Sequence, residues 1–181
     1  MFFEVTINTL PLCDTKLFEV TQMENKLYTE LEKRLTDYLT GQQLRKTDER
    51  YAILKQICSF SSHFDICMLH DKLTEVNFHV SKATLYNTLD IFLTADLIVK
   101  HQFTAKSIQY ELRSMAETHS HLICSMCGAV REIRDASLKK DVKNLKVSRF
   151  TPMFHTLYIY GICSKCKYKL QKNNNKGNTK Q

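Results

Sequence analysis

The chain has 181 residues, 43% of them apolar and 25% charged, which suits one large domain or two small ones with cores of their own. No uninterrupted apolar run approaches the roughly 18 residues of a membrane-spanning helix, and "MFFEVTINTL" places Glu4 in its apolar part with no basic residue ahead, unlike a secretory signal, so a cytoplasmic protein is expected. The formal net charge is +7, but residues 167–181 hold five lysines and no acid, leaving a body near +2 (7 − 5) that permits nucleic-acid binding without requiring it.

Residues 1–22 fit no periodic template and stay unassigned. Met23 opens "MENKLYTELEKRLTDYL", in which Leu27, Leu31, Leu35 and Leu39 recur every four residues, as on one helical face. A native start at Met23 is an alternative that the mass of the natively expressed protein decides. After Gly41, "LRKTDERYAILKQICSF" reads as a second helix with Tyr51, Leu54, Ile57 and Cys58 inward. "DICMLHDKLTEV" reads as a short third helix around Ile66, Leu69 and Leu73. In "VSKATLYNTLDIFLTADLIVKH", Ser81 can cap a helix whose Leu85, Leu89 and Phe92 form the inner stripe, with Lys82, Tyr86, Asn87 and Asp90 outside. "LIVKHQ" and "SIQYEL" alternate like two strands joined by "FTAK". Helices followed by a hairpin predict a winged helix-turn-helix over residues 23–113, the DNA-binding part of an α+β chain.

A second domain is expected over 114–170, with its boundary near 112–117. "HLIC" and "GAVREIR" look like short strands, "DASLKKDVKNLKV" like an amphipathic helix with Leu138, Val142 and Leu145 inward, and "MFHTLYIYGIC" like a strand. "KNNNKGNTKQ" is low in complexity, so residues 171–181 are predicted to be a disordered basic tail.

Seven cysteines in a cytosolic chain suggest metal or redox chemistry before disulfides. Cys124 and Cys127 form one CxxC and Cys163 and Cys166 another, with 35 residues between. Four thiolates close a tetrahedral zinc shell with no position for water, a structural site. A redox pair would need a strand–helix junction that stabilises a thiolate, whereas Gly128 and strand-like sequence follow the first pair here, as in a zinc knuckle. Cys13 reads as a stray, and Cys58 and Cys67 as buried small apolar residues. His119 and His121, two apart on a strand, point to one face and can reach one ion; two surface histidines beside a zinc knuckle are the plainer alternative. Glu132 lies on the neighbouring strand. Glu111 lies opposite the apolar face of Ile108, Tyr110 and Leu112, where an acid usually meets solvent. Pattern alone does not bring these groups together.

Together, "LRKTDERYAIL", "SKATLYNTLDIFLTADLIVKH", "HSHLICSMCGAVREI" and "HTLYIYGICSKC" resemble the ferric-uptake-regulator (Fur) superfamily of bacterial metal-responsive repressors, over roughly residues 25–168. The resemblance implies a homodimer that binds an inverted-repeat operator in double-stranded DNA, with a C-terminal dimerisation domain and no small-molecule substrate or membrane. It implies a regulatory metal held by His63, Glu111, His119, His121 and Glu132. These mixed imidazole and carboxylate donors suit Fe²⁺ or Zn²⁺, with Mn²⁺ behind them. Some members carry a further site with an acid between the two histidines and another in the next helix. Ser120 and Lys139 stand there, leaving only His155, so that site is expected to be absent or crippled.

On the DNA side the resemblance assigns the recognition helix to Ala83, Thr84, Leu85, Tyr86 and Asn87, with Lys82 beside it. Asn87 stands where the family usually has arginine, which removes a bidentate guanine reader and favours adenine. Tyr86 is assigned a base methyl or phosphate, and Arg45 and Arg50 phosphates. The alternatives are a metalloenzyme, a CxxC redox protein, a structural zinc module, or a peroxide-sensing member of the same family. Peroxide sensors favour aspartate where Glu132 stands. An enzyme would need a nucleophile or oxyanion motif, and none accompanies these acids.

Overall fold

The computed structural model describes residues 13–104, 107–152 and 154–177, with side chains described from 25 to 173 within those ranges. The leucine repeat lies on α1 (Cys13–Gly41), which is helical from the first described residue and so already runs ahead of Met23 through part of the stretch that matched no template. Leu31, Leu35 and Leu39 are buried, so the four-residue spacing marks the face on which α2 (Asp48–Cys58) packs. Ile53, Leu54, Ile57 and Cys58 are the buried residues of α2, whereas Tyr51 is only half-buried, its hydroxyl 3.0 Å from that of Thr36. Asp65 caps α3 (Ile66–Glu75) by accepting from the amides of Cys67 and Met68. Cys67, expected inside, is exposed. It sits in the first turn of α3 on the face away from Leu69 and Leu73.

Ser81 accepts from the amide of Thr84 and starts α4 (Lys82–Thr94), whose Leu85, Thr88, Leu89 and Phe92 are buried. Lys82, Tyr86, Asn87 and Asp90 lie on its exposed face. Three helix ends share one device. Gln43, Asn77 and Asp96 take positive φ, and Leu44, Phe78 and Leu97 donate back to the carbonyls of Leu39, Leu73 and Phe92. This is the Schellman closure, reached here without glycine.

β1 (Ile98–Thr104) and β2 (Ser107–Leu112) form the antiparallel wing, pairing Val99 with Glu111 and His101 with Gln109. The predicted turn residues Ala105 and Lys106 lie outside the described residues. Phe64, just before α3, bridges Tyr110 through two hydrogen bonds of 2.9 and 2.7 Å. One face of the wing (Ile98, Tyr110, Leu112) closes the helical core. The other turns toward the second half of the chain.

After the short α5 (Arg113–Ala116), β3 (Ser120–Cys124) is central in a sheet of order β4-β3-β5. β4 (Val130–Ile133) is antiparallel to it and β5 (Tyr158–Gly161) parallel. The expected strand from 153 is thus realised only at 158–161, and Met153 lies outside the described residues. In α6 (Ala136–Lys143), Leu138 and Val142 are half-buried, but Leu145 lies beyond the helix end and is 61% exposed, so it does not continue the inner stripe. α7 (Ser164–Gly177) carries the chain past residue 171, so 171–177 are helical where disorder was expected. Each residue added to an existing helix gains a hydrogen bond at little further cost, and Leu170, Gln171 and Lys172 are good helix formers. Residues 1–12 and 178–181 lie outside the described residues.

Leu89 is 1% exposed between α4 and the core. Leu89→Ala should cost about 2–5 kcal/mol, read as a lower midpoint in urea denaturation with zinc retained.

Candidate metal centres

The first centre is the cysteine cluster. Cys124 ends β3 and Cys127 closes the following turn, in which the Gly128 amide donates to the Cys124 carbonyl at 2.9 Å. Gly128 takes φ +71°, and a Cβ there would stand 3.1 Å from the Thr104 methyl of the wing. Conformation and limited room both favour glycine there. Cys163 precedes α7 and Cys166 lies in its first turn. The four sulfurs lie within 4.8 Å of one another, with Cys127 and Cys163 3.8 Å apart. Amide donation, led by that of Cys163 at 3.3 Å, lowers the Cys124 thiol to about 6. Hydrogen bonding to the sulfurs of Cys127 and Cys163, then burial and the charge of Cys124, raises Cys166 to about 12. One thiolate is thus stabilised by the fold alone; four together need a cation, and the donor set fits zinc.

The second centre lies where the wing meets the three-stranded sheet. The Phe64–Tyr110 bridge sets His63 beside β2, with its Nε2 3.3 Å from Glu111 Oε1 and its Nδ1 3.2 Å from Glu132 Oε1. His121 sits on β3 between Glu132 of β4 and Tyr158 of β5. Its Nε2 is 2.8 Å from that of His63 and 3.2 Å from that of His119. His119 precedes β3. Its Nδ1 donates to the Met115 carbonyl at 3.0 Å, which leaves the Nε2 lone pair facing Glu111 Oε2 at 3.4 Å. All five residues carried over from the resemblance therefore meet.

Strand alternation alone put Glu111 on the side where an acid usually meets solvent, yet it is 1% exposed. The wing's second face is covered by β3 and β5, so both sides of β2 are buried at its end. His101 joins the cluster without having been anticipated, its Nε2 2.6 Å from Glu111 Oε1. The available signal was alternation: in "VKHQF" it shares the inward phase of Val99 and Phe103.

Burial pushes Glu111 up, but its contacts with His101 and then His63 outweigh that and leave it at about 2, ionised. Burial, then the neighbouring His101, His63 and His119, brings His121 down to about 4, a neutral imidazole at physiological pH. Both Glu111 oxygens, His101 Nε2 and His121 Nδ1 are buried without a hydrogen-bond partner. Converging lone pairs and an ionised carboxylate away from water are the fit test for a divalent cation, and these residues pass it. Ser120, Lys139 and His155 line a small pocket with Glu117, Asp135 and His119.

Of the residues assigned to DNA, Lys82, Tyr86 and Asn87 are exposed on α4, Tyr86 by 50%. Thr84 is half-buried, and its hydroxyl lies 2.9 Å from that of Ser81 in the cap. Arg45 is exposed in the loop before α2 rather than on a helix. Arg50, in the first turn of α2, donates its guanidinium to the Arg45 carbonyl.

Cys163→Ser should lower tightly held zinc by one equivalent per chain and expose β3 to β5 to hydrogen exchange while α2 to α4 stay protected. Metal analysis and exchange mass spectrometry read the two effects.

A sequence profile of the ferric uptake regulator family matches residues 41–160. The ferric uptake regulation protein of Campylobacter upsaliensis is 27% identical over 150 residues, spanning 81% of this chain and 96% of that one. The peroxide-responsive repressor PerR of Staphylococcus epidermidis is 28% identical over 126 residues, 68% of this chain and 82% of that one. The structure of the ferric uptake regulator from Pseudomonas aeruginosa with manganese superposes with a TM-score of 0.61 at 27% identity, covering 71% of this chain and 97% of that one. With its family profile, wing and metal-ligand clusters in place, this chain belongs to the ferric uptake regulator family.

Proposed function

We infer that the protein is a transcriptional repressor of metal-uptake genes, a regulator rather than an enzyme, whose grip on an operator is switched by a divalent metal. The observation that carries this reading is the span of the second cluster. His63 and Glu111 come from the helical and wing part, and His119, His121 and Glu132 from the three-stranded sheet. A cation bound there, Fe²⁺ or Zn²⁺ ahead of Mn²⁺, supplies the positive charge that lets these donors share one point. The ligand set is complete in only one relative orientation of the two parts. Arg113 supports the same orientation, stacking its guanidinium 3.5 Å from the centre of the Phe154 ring and pairing with Asp96 at 2.9 Å.

The protein works in the cytoplasm as a homodimer. β5 is an edge strand, and Ile159, Tyr160 and Ile162 at its end are exposed together with Phe150 and Tyr168. Such an edge and apolar surface suit burial against a second copy. In that dimer the orientation of the two parts sets the distance between the two α4 helices. That distance must match half-sites about one duplex turn, ~34–36 Å, apart. Moving the population from 1:99 to 99:1 takes about 5.5 kcal/mol of differential affinity. On the duplex, Lys82, Thr84, Tyr86 and Asn87 face the groove, with Asn87 suited to adenine, while Arg45 and Arg50 hold phosphates.

The double variant His119→Ala/His121→Ala should lose metal-dependent operator binding while keeping dimer mass and zinc content. Operator binding that still responds to metal in that variant would overturn the assignment. Separately, Arg45→Ala should weaken binding to all sequences and reduce the salt slope by about 1, whereas Asn87→Ala should relax preference at one base position by about 1–3 kcal/mol. Fluorescence titrations over a range of salt and operator sequence separate the two.

A further inference from the structure

His101 stands in the second cluster without belonging to the ligand set carried over from the family. It lies on β1, fully buried, on the wing face that also presents Phe103 and Glu111. Its Nδ1 is 2.7 Å from the Tyr158 hydroxyl of β5, across the join between wing and sheet. Its Nε2 is 2.6 Å from Glu111 Oε1, yet the two are not in hydrogen-bonding geometry and neither has another hydrogen-bond partner. His101 Nε2 and Glu111 can share either a proton or a cation: when Nδ1 donates to Tyr158, Nε2 is left with a lone pair toward the carboxylate, and a cation between them takes the place of the proton. His119 is arranged alike, one nitrogen tied to the Met115 carbonyl and the other free toward the cluster. Fixing one ring nitrogen by an outer hydrogen bond and aiming the other at its fellow donors is how proteins hold a metal-bound histidine.

We propose that His101 is itself a ligand of the regulatory ion, a fourth imidazole beside His63, His119 and His121. The proposal rests on reading this cluster as the metal centre. It makes the wing strand, and not only the His63 loop and the end of β2, part of the ion's shell. It also raises the side chains available to six, a number that suits Fe²⁺ better than the four-coordinate preference of Zn²⁺.

The test uses full-length protein with zinc retained in the cysteine site and Co²⁺ as the spectroscopic probe. X-ray absorption on the wild type should count four imidazoles around cobalt; a count of three overturns the proposal without any mutation. His101→Asn keeps a donor near Tyr158 but removes Nε2, while His101→Gln reaches the Nε2 position with an amide oxygen and gives up the Tyr158 bond. A ligand role predicts that Asn lowers Co²⁺ affinity by at least the ~10–100-fold typical of losing an outer hydrogen-bond partner and changes the cobalt spectrum, with Gln retaining more affinity. A residue acting only by positioning through Tyr158 gives the reverse order, and that result, like unchanged affinity in both variants, overturns the proposal. If wild-type protein with its zinc in place binds no cobalt through imidazole, the metal-centre reading itself fails. That outcome is distinct from a failure of His101 alone.

Discussion

A buried, ionised carboxylate is the constraint around which the two parts of this chain are arranged. Taking an isolated carboxylate out of water costs several kcal/mol, so Glu111 is tolerable only with positive charge or strong donors close by. The histidines of the wing, the loop before α3 and the segment leading into the central strand supply part of that environment. That environment leaves the imidazoles themselves unsettled, because His121 is held neutral and imidazole nitrogens at 2.8 and 3.2 Å crowd together. The site is therefore unsatisfied as a set of protein groups and satisfied as a set of ligands. Its cost falls on the relative placement of wing and sheet, which is where a regulator of DNA binding has use for it.

The cysteine cluster solves a different problem. The sheet that carries His121 and Glu132 has three short strands, and few of its side chains are fully buried. Such a sheet is weakly held by apolar burial. Tying the end of β3 to the start of α7 through four sulfurs fixes the register of β3 against β5, and with it the position of His121 beside Tyr158. The close approach of Gly128 to Thr104 sets this knuckle directly against the wing. One metal site thus holds the platform on which the other is built.

The path from the second cluster to α4 is short. Glu111 is two residues from Arg113, whose amide donates to the Leu97 carbonyl just beyond the end of α4. The same arginine pairs with Asp96 in the αL cap of that helix. α4, the wing and Arg113 therefore form one packed body around the core of Leu85, Leu89, Phe92, Leu97 and Tyr110. Where that body goes relative to the sheet, Lys82, Tyr86 and Asn87 go with it.

Much of this was written in local pattern. The leucine spacing of α1, the Ser81 cap, the stripe of α4, the alternation of the wing and the paired CxxC turns depend on periodicity or short spacing, and their elements formed where expected. That α1 already runs ahead of Met23, that α7 continues past residue 171, the exposure of Cys67 and the outward turn of Leu145 were not legible. Each depends on where a helix begins, ends or meets a neighbour, and three helix ends use Gln43, Asn77 and Asp96 where a glycine would have signalled them. The ligand set shows the division most clearly. Sequence alone determined that thiolate and imidazole donors were present at metal-binding spacings, because those spacings lie within a single turn or strand. His63 and Glu111 entered the set only through the family resemblance, and only the tertiary structure decided that Glu111 is buried and that His101 reaches the same point, because a Phe64–Tyr110 bridge and a wing face covered by β5 are contacts between residues far apart in the chain.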